Sequence, residues 1–427
     1  LDFMSERHAY PFELAAFVRS VWPADAAPLP ARLEELLSVA YQATLLRDEE
    51  RAVTLRIVVA PAEVFPADGG PPNGVMRLLF VRPRRLDEHE LRRLAPAVKY
   101  ARSMIGVAPT DGGFAIWGAV HTGPRWLERK QGGRSLAPTI PTSPLVVRAF
   151  GPGLLAVARG DRTVAELRGG TIARPGLDVF ASSWLPMRFA PMREEIASLH
   201  QEARVAAKEP WGELDPDLAR VLSYRMVKRV IATMRNAHHG GTILLLPPDC
   251  FAPQYLQMKY GFEAEEPRRR HRTLVLAAMR ALARSAAESS LGHAAGWSDY
   301  ASATHEPFPA IDEAIFEVSH MLAALADVDG AVVMNMRWEM MGFGAEIVGD
   351  LPEVTRVAVA HDHDATTKTY ESTDGVGTRH RSAYRLCAAV KEAIAIVVSQ
   401  DGAVRWVAWH DDDVTCWPHV PSDGIDD

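Results

Sequence analysis

The sequence predicts an α/β protein of the α+β kind, organised as two domains, and three observations carry that prediction. Its 427 residues exceed what one ordinary core accommodates at about 100 to 200 residues per domain. Stretches with apolar residues three and four apart alternate along the chain with short β-branched runs, the periods of helix and of strand. A composition of 48% apolar and 24% charged residues is that of a globular protein. The division is expected near residue 205. An N-terminal α+β domain spans 1–205, and a mixed-sheet domain flanked by helices spans 206–427, with a helical insertion at about 249–312.

In chain order, residues 11–21 and about 30–46 have one apolar face each and predict helices. Residues 53–59 and 75–81 predict strands, separated by the Pro/Gly-rich loop 66–74 and long enough to pair as neighbours. Asp87 and Glu88 open a helix predicted to reach Met104, their charge suited to its N-terminal dipole. Segments 114–120, 145–150, 154–159, 163–167 and 177–180 are short strands about ten residues apart, a pattern of mainly antiparallel sheet with barrel-like closure. A charged helix over 192–207 connects the domains. Helix 218–238 leads into the strand entered by Gly240 and Gly241, helix 274–289 is Ala-rich, and helix 311–325 delivers the chain to Asp329.

The chemistry concentrates late in the chain. Gly377-Thr378-Arg379-His380-Arg381-Ser382 precedes an Ala- and Leu-rich helix, so that helix's free N–H groups and the basic side chains face one anion, for which a polyphosphate is the natural occupant. The apolar run 393–399 that follows is a buried strand. About fifty residues upstream, Asp329-Gly330-Ala331 opens the strand 332–336. A carboxylate there, beside a glycine that admits a ligand to the backbone, suits an Mg2+ or Mn2+ ligand or a general base.

Asp329-Gly330-Ala331, the strand Gly344-Ala345-Glu346-Ile347, a variable loop, Gly377-Thr378-Arg379-His380-Arg381 and the Val-Val-Ser strand ending at Ser399 together resemble the diadenylate cyclase domain. That family condenses two ATP into cyclic di-AMP. The likeness covers about the last hundred residues and extends back toward Tyr224 through the strand after Gly240-Gly241. The resemblance implies catalytic roles for Asp329, Arg379, His380 and Arg381, with Asp329 also the metal ligand. It implies nucleotide contacts from Gly330, Ala331, Gly344, Ala345, Gly377, Thr378, Ser382, Ser399 and Gln400. It further implies a homo-oligomer, because two domains must face each other for each 3′-hydroxyl to meet the other α-phosphate. Where the family places Glu after Val-Val-Ser, this chain has Gln400 followed by Asp401. An amide supplies no charge to a metal, so two readings follow: a cyclase in which Asp401 or Glu346 substitutes, or a nucleotide-binding sensor without turnover. The N-terminal region resembles, more loosely, predicted sensor domains found ahead of such cyclases, most closely at Ala115-Ile116-Trp117-Gly118.

A formal charge of −7 gives no global drive toward nucleic acid or anionic membrane, so any phosphate site is local. The basic run Arg268-Arg269-Arg270-His271-Arg272 follows Glu263, Glu265 and Glu266, which balance it as a solvated helix start. His361-Asp362-His363-Asp364 is expected as a polar loop, since alternate residues of an extended segment point opposite ways. His410-Asp411-Asp412-Asp413 is expected as a hairpin turn, and His238-His239 as a helix C-terminus. Cys250, Cys387 and Cys416 form no Cys-x-x-Cys pair and no disulfide framework. With no apolar run of about 18 residues and no cleavable leader, a soluble cytoplasmic protein is expected. Neither a P-loop nor a Gly-x-Ser-x-Gly elbow occurs.

Overall fold

The computed structural model describes residues 8–24, 26–71, 75–100, 102–123, 134, 144–160, 162–173, 177–237, 240–248, 254–289, 291–400 and 402–419. The chain divides into two compact units, with the break between Gly176 and Leu177. This corrects the boundary expected near residue 205. Helix Ala190–Ala206, expected as a connector, buries Met192 and Ile196 and bonds Glu195 to Arg272, all within the second unit. Its charged outer face made it look like a linker.

The first unit is built on an eight-stranded sheet. Its strands are β3 (Leu55–Val59), β4 (Met76–Arg85), β5 (Ser103–Thr110), β6 (Gly113–His121), β7 (Leu145–Gly151), β8 (Leu154–Arg159), β9 (Arg162–Arg168) and β10 (Thr171–Ala173), with β1 (Arg47–Asp48) and β2 (Arg51–Ala52) forming a separate ribbon. The order is β10-β9-β8-β7-β3-β5-β6-β4, and β3 and β5 are the parallel pair. The sheet is open, which corrects the barrel-like closure. Helices α1 (Pro11–Val21) and α2 (Leu33–Leu45) cover one face through Leu14, Val18, Leu36 and Leu37.

Strands β3 and β4, expected as neighbours, are separated by β5 and β6. Burial explains the placement. Leu55 to Val58 are buried on both faces and so sit mid-sheet, whereas β4 is exposed along nearly its whole length and forms an edge. The helix begun by Asp87, whose carboxylate accepts from Glu90 N at 2.8 Å, is α3 (Glu88–Leu94). It stops eight residues before β5 begins at Ser103, because Pro96 lacks the N–H a continuing helix needs. Residues 177–180, expected as a strand, form instead a 3-10 turn over Val179–Ala181 capped by Asp178.

The second unit holds a nine-stranded mixed sheet in the order β12-β14-β13-β11-β17-β18-β19-β15-β16. These are β11 (Gly241–Leu246), β12 (Leu256–Gly261), β13 (Ala331–Asn335), β14 (Met340–Ile347), β15 (Arg356–Ala360), β16 (Lys368–Ser372), β17 (Ile394–Val398), β18 (Val404–His410) and β19 (Asp413–His419). Two short-to-middling helices, α4 (Trp184–Arg188) and α5 (Ala190–Ala206), precede α6 (Leu218–Ala237); then come α7 (Arg270–Glu288), α8 (Trp297–Ser302), α9 (Phe308–Ala326) and α10 (Thr378–Ala389). Leu244, Leu246, Val333 and Val397 pack against Ala383, Tyr384, Leu386 and Cys387 of α10. On the opposite face, a Cβ on Gly241 would touch Met234 of α6 and Ala326 of α9, so helices cover both sides.

The expected helical insertion contains α7 and α8, but also β12, which pairs antiparallel with β14 as an edge of the main sheet. The β18–β19 turn is as expected: Asp411 and Asp412 both take positive φ, and His410 pairs with Asp413. Cys387 and Cys416 are buried free thiols, while Cys250 lies outside the described residues.

Candidate functional site at one end of the second sheet

Strand register assembles the site. Ile243 pairs with Val332 in the parallel β11/β13 ladder, and Gly241 pairs with Val398 in the antiparallel β11/β17 ladder. Continued by one residue, the β11/β17 ladder sets Gly240 and Ser399 in one row, while Asp329 lies before β13, outside the paired part of the β11/β13 ladder, which begins at Ile243–Val332. Gly240 has φ +67°, and a Cβ there would lie 3.0 Å from Arg379 Nη1, 2.9 Å from Val398 O and 3.1 Å from Gln400 N. The absent side chain is what lets the Arg379 guanidinium lie over the row.

Helix α10 aims that arginine. Its buried residues Ala383, Tyr384, Leu386 and Cys387 anchor it to the sheet, and Arg405 Nη1 donates to Tyr384 Oη at 3.2 Å. Burial pushes the Tyr384 hydroxyl up to about 12. Gly377 is the N-cap, with Thr378 at the first helical position, and both are exposed. Arg379 is exposed and His380 half-buried, its ring centroid 6.3 Å from that of Tyr384. Arg381 comes about 200° further round the helix. It is exposed, and no ion pair or hydrogen bond joins it to the row among the described residues. Ser382 is half-buried on the same helix.

The glycines of the Asp329 side have backbone causes. Gly330 has φ +112°, and a Cβ there would meet Gly344 C at 2.6 Å and Ala345 N and O at 2.8 Å. Ala331 pairs with Ala345, so at Gly330 the chain entering β13 runs close against the β14 backbone at Gly344 and Ala345. Asp329 itself is exposed. Beside it, Lys259 Nζ bonds Glu346 Oε1 at 2.8 Å. That hydrogen bond holds the Lys259 ammonium above its ordinary range, with Asp329 adding to the effect. Lys259 went unseen in the sequence because β12 was absorbed into the helical insertion.

Ser399 closes the other side of the row. Its N and Oγ both donate to Ala403 O, at 2.9 and 3.2 Å, and its own carbonyl accepts from Gly402 N at 2.9 Å. Gln400, at the tip of that turn, is exposed. Asp401, His238 and His239 lie outside the described residues.

No cluster of three or more His, Cys, Asp or Glu able to hold a metal occurs among the described residues. Asp329 and the Lys259-paired Glu346 are two carboxylates near Lys259. Such a set fits an Mg2+ or Mn2+ shared between one carboxylate and the phosphates of a nucleotide, the usual manner for these ions. It does not fit an ion held by protein groups alone.

The other polar motifs are structural. Asp362 accepts from the backbone of Asp364, Thr366 and Thr367, Asp364 accepts from Ser183, and His410 Nε2 lies 3.1 Å from Asp364 O. The His361–Asp364 loop is therefore an internally bonded turn. The basic run is neutralised partly by Glu266 but also by distant Glu195 and Glu339, with Arg269 Nε at 2.6 Å from Glu339 Oε1.

No curated protein matches this chain. A crystal structure from Bacillus cereus, described as a hypothetical membrane spanning protein, aligns at 15% identity with a TM-score of 0.23, covering 54% of this chain and 91% of that one. So low a score assigns no fold. In the present chain, no helix of the described residues is long and apolar enough to cross a membrane. Residues 22–121 match the family described as "Probable sensor domain DACNV", so the first unit carries a stretch, from Trp22 in the α1–α2 connection through β6, similar to a sensor domain found at the N-terminus of diadenylate cyclases.

Proposed function

We propose that the second unit is a diadenylate cyclase domain governed by the sensor-like first unit. It would condense two ATP into cyclic di-AMP with release of two pyrophosphates. The observation that supports the reading is the Arg379 guanidinium against Gly240, beside Val398 and Gln400, at the start of a strand that pairs with the one Asp329-Gly330 leads into. In this reading a nucleotide bound at that sheet end finds a cation for phosphate in Arg379 and a carboxylate in Asp329, from segments fifty residues apart in sequence.

In this reading Arg379 and the first-turn N–H groups of α10 bind the triphosphate, Arg381 meets its outer oxygens, and His380 is held by α10 beside the same phosphates. Thr378, Ser382 and Ser399 donate to phosphate or ribose, and Gln400 lies at the mouth. Gly330, Ala331, Gly344 and Ala345 keep the backbone low enough for the ribose to approach. Asp329 accepts the proton of the attacking 3′-hydroxyl as its oxygen bonds to the α-phosphorus of the facing nucleotide, and the pyrophosphate leaves in line. Bound Mg2+ or Mn2+ would neutralise charge on the α-phosphate. Each 3′-hydroxyl reaches the other nucleotide only if two domains face each other with two-fold symmetry, so turnover requires a homo-oligomer.

The test is incubation of the whole chain at high concentration with ATP and Mn2+, with products identified by mass spectrometry. Cyclic di-AMP from the parent and its loss in Asp329→Asn is the expected result. A parent that binds ATP but forms no product, and is indistinguishable from Asp329→Asn, eliminates the cyclase. Gln400 supports the second reading, a nucleotide sensor without turnover. There, Gln400→Glu should create activity that the parent lacks.

A further inference from the structure

A second charged site lies in the first unit, on strands β3 and β7. Arg56 of β3 and Arg148 of β7 are direct cross-strand partners. They share the sheet face of Val58 and Val146, opposite the one covered by α1 and α2. Arg56 is 2% exposed, yet its Nε and Nη2 have no hydrogen-bond partner. Its guanidinium lies 5.6 Å from the Tyr100 ring centroid, and no carboxylate pairs with it among the described residues. Arg148, half-buried, donates from Nη1 to Thr163 Oγ1 at 3.3 Å. The Tyr100 and Phe150 rings pack at 5.5 Å beside the pair, and Phe150 is 40% exposed.

Two like charges on adjacent strands repel, and a buried cation stripped of water and counterion is among the costliest groups a fold can carry. Burial is the largest influence on Arg56 and pushes its pKa down to about 10, with Tyr100 opposing and Arg148 adding to the fall. It therefore remains charged at neutral pH. A planar guanidinium fork with two idle donors matches a carboxylate or phosphate.

We infer that Arg56 and Arg148 form the headgroup pocket of a small organic anion, whose carboxylate or phosphate sits between the guanidinium groups and whose apolar body lies along Tyr100 and Phe150. The closed end at Arg56 admits only the headgroup, while half-buried Arg148 and exposed Phe150 mark the open side. Such a ligand would be the signal of the sensor-like unit. The inference does not depend on the cyclase reading, because both arginines belong to the first unit.

The experiment is calorimetric titration of the full chain with sodium phosphate, phenyl phosphate and benzoate, against sodium chloride at matched ionic strength. Saturable binding of phenyl phosphate or benzoate, tighter than of phosphate and absent with chloride, is expected; whichever of the two binds identifies the headgroup. Arg148→Gln should weaken it by about tenfold or more. Arg56→Met should abolish it while leaving the chain at least as resistant to heat, since it removes an unpaired charge but keeps an unbranched apolar stem. If Arg56→Met does not fold, Arg148→Gln decides alone. Failure of every probe to saturate, or binding unchanged in Arg148→Gln, overturns the site. Equal affinity for phosphate and phenyl phosphate keeps the arginine pair but overturns the apolar body. None of these results bears on whether cyclic di-AMP is made.

Discussion

The tightest backbone approach at the candidate site is at Gly330, and replacing it by alanine tests whether sheet geometry builds that site. At φ +112° an L-residue is strained by about 1–3 kcal/mol. The added Cβ would also sit 2.6–2.8 Å from three backbone atoms of Gly344 and Ala345. Those atoms cannot rotate aside, because the Ala331–Ala345 pair follows immediately. Overpacking of this kind costs roughly another 1–3 kcal/mol. Gly330→Ala should therefore destabilise the β13–β14 pairing by about 4 kcal/mol, close to a thousandfold in local opening. Hydrogen exchange by mass spectrometry reads this directly: peptides covering β13 and β14 should exchange faster, with those of the first unit as internal standard. Gly375→Ala is the control, since Gly375 has φ +78° but open space around it, leaving only a backbone cost of about 1–2 kcal/mol. If Gly330→Ala exchanges like the parent, or no faster than Gly375→Ala, the motif's glycine is not there for the sheet.

Two further predictions concern the second unit. Lys228 Nζ and Asp178 Oδ2 form a buried pair at 2.8 Å, so Lys228→Met, which strands the carboxylate, should cost about 3–5 kcal/mol in urea denaturation. The double change Lys228→Met with Asp178→Asn should recover part of the loss; equal cost would argue against the pairing. His271 is fully buried, and burial lowers its pKa from 6.5 to about 4. Between those values the unfolded chain binds a proton that the folded ring refuses, so stability falls as pH drops from about 6.5 toward 4, by up to about 3 kcal/mol. His271→Leu should flatten that segment of the stability–pH curve, and an unchanged slope would show that other groups set it.

Much of the second unit was legible because its signals are local. The β-branched runs became β11, β13 and β17, Gly377 became the N-cap of α10, and the acidic turn became the β18–β19 hairpin. The order of motifs along the chain was visible too, but not that Gly240 lies against Arg379 and beside Ser399, which depends on the β11/β17 ladder. What went unread depends on partners distant in sequence. Strand β12 is exposed or half-buried at every position but Leu256, so neither its sheet edge nor Lys259 was foreseeable. The unit boundary was misplaced because α5 is mostly polar yet inserts Met192 and Ile196 into its neighbours. Arg56 drew no notice in the sequence, because alternation along a strand gives no warning that both faces of β3 are covered.

The turn after β17 carries one last implication. Gln400 projects from the tip of a loop whose bonds run through Ser399, Gly402 and Ala403, so its side chain is no part of the scaffold. An amide can become a carboxylate there, or the reverse, without disturbing a single strand.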